Sequence, residues 1–562
     1  MRGEVATKEP EGLTDRPSPT SKNFSAQRVT KIAENGDLGT QIICLLFSIW
    51  TFSENQFFHT FPHFSGRVSV DWTSFRSALY RAFSLTVNDS VLLTNSQFFS
   101  TKSRKYAIIE KESEELSMLK KDTEKQMKLF SGTLEELMPK EHFLRDLDRL
   151  VDFNFIYEKV ENLYSDTGRP SVDPVVLIKM LLVGYLYGIN SERKLEQEIQ
   201  VNIAYRWFLG IDLDECVPDH STISQLRRRK FDGTTLFRDI FDEVVRKCIE
   251  VGLIDGKLLL TDSTHIRANA RNDLREIIEV PDTPTEYMQK LDREAYELGL
   301  IKEPVEYDET KTKEITKSTT DPECGLMKRP GKPLGFHYLD HQTCDSKHGM
   351  ITDVYVTAGN VHDSTPHTKR LEYQIDKFGF KTEAVCADAS YDSGEVHNAM
   401  LERNIKTFIP ERTRSGVPNY ESDFDPKVFV YDEERNLYIC PAGKELRYSG
   451  YRKKDRRKRY TAQKSDCSSC PYREKCNGTS KNPRTIDRTL HEKARSVQRE
   501  NIDTPEYLAA MRFRQIWCEG NFSHQKANHN LRRTLKRGIE RVTEQCLLSA
   551  CALNLKRLVK LL

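Results

Sequence analysis

Two short apolar runs, each ending on an aspartate, constrain this chain most. Leu258-Leu259-Leu260-Thr261 runs into Asp262, and Ala384-Val385-Cys386-Ala387 runs into Asp388. Each reads as a buried strand that ends on a carboxylate. Strand patterns also occupy 336–341, 351–357 and 406–409, and helical patterns occupy 365–378 and 394–403. Strands alternating with helices in this way specify an α/β fold. A charged stretch from Asn272 to Pro333 interrupts the series after its first strand.

The flanks differ in character. From Leu129 to Phe231 the pattern is helical, with Phe143, Leu147, Leu150, Val151 and Phe155 at three- and four-residue steps on one apolar face. Asp173-Pro174 opens an apolar helix from Val175 to Tyr187, with the aspartate as cap and the proline in the first turn. Ser191 caps another helix. Asp219-His220-Ser221-Thr222 opens a third, which ends in the basic run Arg227, Arg228, Arg229, Lys230. That run reads either as a DNA contact or as a solvated basic face. Residues 1–117 carry no functional reading; they fit a variable appendage, or read-through upstream of a start near Met118.

Charge is where composition matters. The 562 residues hold 86 Lys+Arg against 84 Asp+Glu, a net of +2 that by itself argues against a polyanion partner. From Cys440 to Leu562, however, 29 basic residues stand against 12 acidic ones, a net of +17, which leaves −15 for the rest. One end of the chain can therefore hold a polyanion although the whole is nearly neutral.

Asp262 and Asp388 sit where open sheets build sites, at strand ends. If their strands are neighbours, the two carboxylates converge and repel unless a cation intervenes. Hard oxygen ligands suit Mg2+ or Mn2+. A third acid is available in the basic C-terminal helix, where Arg512, Glu519 and Lys526 are spaced by seven and fall on one stripe of a regular helix. Taken singly, each aspartate reads more readily as a turn or helix cap, and the glutamate as part of a solvated helix face.

The words around these acids resemble those of insertion-sequence DDE transposases with an InsH-type N-terminal domain. They are LLLTDSTHIRANA at 258–270, TTDPECG at 319–325, GFHYLDH at 335–341, GNVHDS at 359–364 and ADASYDS at 387–393. RQIWCEGNFSHQK at 514–526, LKRG at 535–538 and NLKRL at 554–558 follow in the same order. The helical words from SVDPVVLIKM to DHSTISQLRR, ending at Arg228, are similar to that family as well, so the likeness runs from about residue 125 to the end.

The resemblance implies a ribonuclease-H-like mixed-sheet core, an all-helical N-terminal domain and an insertion. The implied segments are 118–235, 255–415, 416–485 and 486–562. It implies Asp262, Asp388 and Glu519 as catalytic acids holding Mg2+ or Mn2+, and Lys526 as a contact to element-end DNA. It also implies an arginine before the glutamate: helical geometry favours Arg512, and nearness in the motif favours Arg514. The implied activity is two-metal phosphoryl transfer that cleaves and rejoins element ends in double-stranded DNA, in a homodimer or larger assembly, in the cytoplasm or on a bacterial nucleoid. The alternative is a defective or repurposed DNA-binding descendant.

Thirteen cysteines, nine of them scattered singly, do not form a disulfide framework. The other four, Cys440, Cys467, Cys470 and Cys476, have the form C-x26-C-x2-C-x5-C. They read as a structural Zn2+ site, with unliganded thiols or a redox pair as alternatives. The basic run 452–459, with Arg456 and Arg457 at its centre, is expected to meet DNA phosphates. No apolar run reaches the roughly 20 residues of a membrane span.

Overall fold

The computed structural model describes residues 132–164, 171–328, 331, 334–412 and 422–562. The expected extension 1–117, the start of the 118–235 segment and the 416 boundary lie outside the described residues. The described residues form one compact unit.

Residues Leu134 to Glu250 are built from helices among the described residues. The helix Pro174–Leu186 begins as its residues dictate: Asp173 accepts the Val175 N–H at 2.7 Å and Pro174 occupies the first turn. Eight of its thirteen residues are buried. The apolar face expected across 143–155 is split between two helices, Phe143–Leu150 and Phe155–Val160. Val151 is extended, and the Asp152 carboxylate accepts the Asn154 N–H at 2.9 Å, so a turn stands where the pattern continued.

The described strands are β1 (Leu258–Arg267), β2 (Arg275–Pro281), β3 (Thr312–Ser318), β4 (Gly325–Met327), β5 (Gly335–Asp345), β6 (Ile351–Ala358), β7 (Ala384–Cys386) and β8 (Lys406–Phe408). Then come β9 (Val430–Asp432), β10 (Leu437–Ile439), β11 (Glu445–Arg452), β12 (Arg457–Ala462) and β13 (Thr485–Thr489). The main sheet runs β4-β5-β1-β7-β8, with β6 also on β5. β1 is antiparallel to β5 and parallel to β7, and β7 is parallel to β8. All eleven residues of β5 are buried. β2 and β3 form a separate two-stranded antiparallel sheet inside the charged stretch, exposed along most of its length because it has few apolar residues to bury. β9 to β13 form a second five-stranded antiparallel sheet.

The last helix, Ile539–Leu561, joins the N-terminal helices to the main sheet. Fourteen of its 23 residues are buried, although the segment is basic in sequence. The Asn554 amide accepts the Ile351 N–H at 2.9 Å and donates to the Ile351 carbonyl at 2.8 Å, fastening the helix to the start of β6. One apolar core includes Leu182, Phe241, Tyr338, Ile351 and Leu548, so the helical segment and the sheet share their interior. Among the described residues, no helix is long and apolar enough to cross a membrane.

Candidate active site

β1 pairs in parallel with β7 at Leu258–Ala384, Leu259–Val385 and Leu260–Cys386. Continuing that register sets Asp262 beside Asp388, two residues beyond the last pair. Asp388 lies within electrostatic reach of Asp262, so the two carboxylates come together at the sheet rim. β1 does not end at Asp262, as its sequence suggested. It continues to Arg267 because β5 keeps pairing with it through Arg267–His337, while β7 stops and opens space next to Asp262. Asp388 caps the turn Ala389–Tyr391, where its Oδ1 accepts the Ser390 N–H at 2.8 Å.

Glu519 arrives from the C-terminal region. The helix Pro505–Arg514 passes into a π turn, Gln515–Glu519, and then into the helix Gly520–Asn528. Hydrogen bonds from i to i+5 stack residues five apart, so the π turn brings Arg514 onto the face of Glu519. Arg514 Nη1 donates to Asp262 Oδ2 at 2.9 Å, and both side chains are mostly buried. Arg512 is exposed. The regular stripe drawn from sequence fails for Arg512 because the extra residue of the π turn rotates everything before it. After the turn the helix is regular. Lys526 Nζ donates to the Thr264 hydroxyl at 2.5 Å, two residues past Asp262 on β1.

The electrostatics agree with this geometry. Burial pushes the Asp262 carboxyl up to about 6; Arg514 and the Ser263 N–H oppose the rise, while Asp388 and Glu519 add to it. Two further carboxylates thus act on Asp262 beside Arg514. Around them, Ser263 Oγ donates to Asp363 at 2.8 Å, and the buried Tyr391 ring lies among Asp262, Asp363 and Asp388. Sequence reasoning missed Asp363 and Tyr391, although each lies inside a quoted word: GNVHDS and ADASYDS.

The turn that carries Asp388 is held from behind by Asp392. Its carboxylate accepts Arg495 Nη2 at 2.8 Å, the Arg412 N–H at 3.0 Å and His397 Nε2 at 3.1 Å. Burial alone would raise its pKa, but these donors outweigh burial and hold it at about 2. A depressed carboxyl stabilises the fold above its ordinary pKa, and the contribution disappears as pH falls through the depressed one. Asp392→Asn is therefore expected to cost about 2 kcal/mol at neutral pH, with the gap to wild type closing between about pH 4 and pH 2. Urea unfolding at a series of pH values measures this; a gap independent of pH would reject it.

Not every basic residue expected on DNA is available for it. Arg227 is committed inside the protein, paired with Glu192 at 2.6 Å and Glu544 at 2.9 Å, and its side chain is only 12% exposed. It is corrected from DNA contact to internal ion pair, because two carboxylates from distant helices converge on it. Arg456 likewise makes a two-pronged pair with Asp292 at 2.7 and 3.0 Å. Arg228 and Arg229 are exposed, and Arg457 is half-buried in β12. Cys440, Cys467, Cys470 and Cys476 line one cavity in the second sheet's region.

Two family models match the sequence. The transposase domain DUF772 covers residues 132–229, and a transposase DDE domain covers residues 439–559. The second match includes Glu519 and Lys526; Asp262 and Asp388 lie outside both. No curated protein matches the chain. Among solved structures, the chain is similar to the piggyBac transposase synaptic complex with hairpin DNA, at 12% identity and a TM-score of 0.31, over 76% of this chain and 77% of that one. A likeness at that level leaves the fold argument to the topology described above.

Proposed function

We propose that this chain, which is a DDE-type DNA transposase, cleaves and rejoins the ends of a mobile DNA element with Asp262, Asp388 and Glu519 as its catalytic acids. The observation that supports this reading is that Asp388 and Glu519 both lie within electrostatic reach of Asp262, while the π turn delivers Arg514 to it. The order β6-β5-β1-β7-β8, with β5 antiparallel to both β6 and β1 and with β1, β7 and β8 parallel, supports a ribonuclease-H-like core. An all-carboxylate donor set, one member held up by burial and by its acidic neighbours, fits Mg2+ or Mn2+.

Bound divalent ions would neutralise charge on the attacking and leaving oxygens of an in-line displacement at phosphorus. The protein's own part is to aim and hold. Asp262 and Asp388 are fixed by the sheet, and Glu519 by a helix docked against it. Arg514 orients Asp262, while Lys526, next to the same strand, is placed to steady a DNA phosphate. In the first step a water oxygen bonds to phosphorus and the 3′-oxygen leaves as a hydroxyl. In the second, that hydroxyl bonds to a target phosphorus and displaces the target's own 3′-oxygen. The exposed Arg228, Arg229 and Arg512, with Arg457, supply sequence-independent phosphate attraction. Binding two element ends at once calls for a dimer or larger assembly.

The test is cleavage and strand transfer on the element's own terminal DNA with Mg2+, comparing wild type with Asp388→Asn. The substitution is expected to abolish both steps while DNA binding persists. Cleavage that survives it rejects the catalytic assignment. A wild-type protein that binds ends but never cuts them would favour the repurposed DNA-binding descendant.

A further inference from the structure

We propose that Cys440, Cys467, Cys470 and Cys476 hold one structural Zn2+ ion, which fastens the two short helices of the insertion to the edge of its five-stranded sheet. Three separate pieces of chain bring the thiols together. Cys440 follows β10, Cys467 lies in the helix Lys464–Ser468, Cys470 follows that helix, and Cys476 lies in the helix Arg473–Asn477. All four line the same cavity, and Cys476 is within electrostatic reach of the other three.

Backbone geometry around the sulfurs suits thiolates. The segment Cys440-Pro441-Ala442-Gly443-Lys444 turns back on itself: the Gly443 N–H donates to the Cys440 carbonyl at 2.8 Å, and the Cys440 N–H donates to the Lys444 carbonyl at 2.8 Å. Gly443 has φ +73°, which glycine adopts without strain. The turn aims the Lys444 N–H at Cys440 Sγ, at 3.3 Å. In the same way the Arg484 N–H points at Cys467 Sγ at 3.5 Å. Donors aimed at sulfur are the outer support a metal–thiolate site uses to orient its ligands and spread their charge.

A second observation is independent of the sulfurs. Neither Lys464–Ser468 nor Arg473–Asn477 buries a single residue. Each is five residues long, far too short to persist alone in water. The core beneath them has six buried residues, Phe429, Tyr438, Leu446, Tyr460, Ala462 and Ile486, all belonging to the sheet and its approach. Apart from Cys467 and Cys476, which pack against that core, apolar contact does little to hold these helices, and in small modules a metal commonly does so. Four soft ligands select tetrahedral Zn2+ over the hard ions proposed for the carboxylates.

A ready-made cluster elsewhere is a weaker candidate. The ligand atoms of Glu196, Asp219 and His220 already lie within 4.8 Å of one another. Those side chains are spent on one another, however. Glu196 accepts both the His220 N–H, at 3.0 Å, and its ring Nδ1, at 2.7 Å, and Asp219 caps the helix that follows. The four thiols line one cavity without being gathered that closely, and on this proposal the bound ion draws them together.

The experiment is elemental analysis of the full-length protein, purified without added metal. About one zinc per chain is expected, falling to near zero in Cys470→Ser and unchanged in Cys216→Ser, whose cysteine is exposed and does not line the cavity. If Cys470→Ser does not fold, Co2+ exchange into wild type decides. A tetrahedral thiolate site gives intense charge-transfer and visible bands, which are absent if the thiols do not bind metal. Zinc below about 0.2 per chain, iron in its place, or full zinc in Cys470→Ser overturns the proposal. The readouts do not involve DNA cleavage, so failure here leaves the catalytic reading standing, and the reverse also holds.

Discussion

Glu519→Gln is expected to slow single-turnover cleavage of element-end DNA by about a thousandfold or more, while the fold and DNA affinity are retained. Glu519 is exposed at the end of the π turn, and no side-chain hydrogen bond of the described structure depends on it. Replacing it with its neutral isostere therefore costs little stability, as is usual for exposed positions. On the proposed reading the loss falls on charge: the three-acid set keeps two members, and a bound hard cation would lose an anionic ligand. Removing one preorganised electrostatic contact typically costs 10²–10³ in rate, and removing a metal ligand is at least as severe. Quenched-flow cleavage beside a band-shift titration separates the two effects. Near-wild-type cleavage, or parallel collapse of binding and cleavage, would remove Glu519 from the chemistry.

The second large effect is expected far from the reacting atoms. Gly349 joins β5 to β6 at φ +68°, and a Cβ there would run into the ring of Trp517. Trp517 lies in the π turn, and its indole N–H donates to the Ser346 carbonyl at 2.9 Å. Asn521 and Arg557 both donate to the Gly349 carbonyl. This turn is therefore the socket for the helix that carries Arg514 and Glu519. Gly349→Ala adds strain of about 1–2 kcal/mol for the left-handed backbone, and the collision pushes the helix off the sheet. A displacement of 1 Å can cost about a hundredfold in rate. Gly379 is the control: its φ is +64°, and nothing lies within 4 Å of a Cβ added there. Gly379→Ala should lose stability alone, and Gly349→Ala both stability and about two orders of magnitude in cleavage. Equal cleavage in the two variants would show that the Trp517 contact does not position the site.

Much of the catalytic region is legible along the chain because its signals are local. The run before Asp388 is buried and short, Asp173-Pro174 caps a buried helix, and the helix patterns at 365–378 and 394–403 appear as Ser364–Phe378 and Gly394–Glu402. Where the reading faltered, the cause lay elsewhere in the chain. β1 continues beyond Asp262 because β5, more than 70 residues later, pairs with it to Arg267. Arg227 and Arg456 look like DNA contacts until Glu544 and Asp292 arrive from other elements to pair with them. Asp363 is one acid among 84 until Ser263 points at it.

The sequence by itself determined the alternation of elements, the three acids worth considering, the basic C-terminal end and the cysteine set. Each of these is a matter of residue type and short-range spacing. Tertiary structure alone decided that Asp262 and Asp388 are neighbours, because parallel pairing joins segments more than 120 residues apart. It also decided that Arg514 rather than Arg512 meets Asp262. A regular helix would favour the seven-residue spacing. The π turn adds one residue to the winding, and docking Cys518 and Trp517 against β5 and the turn after it sets the face that follows.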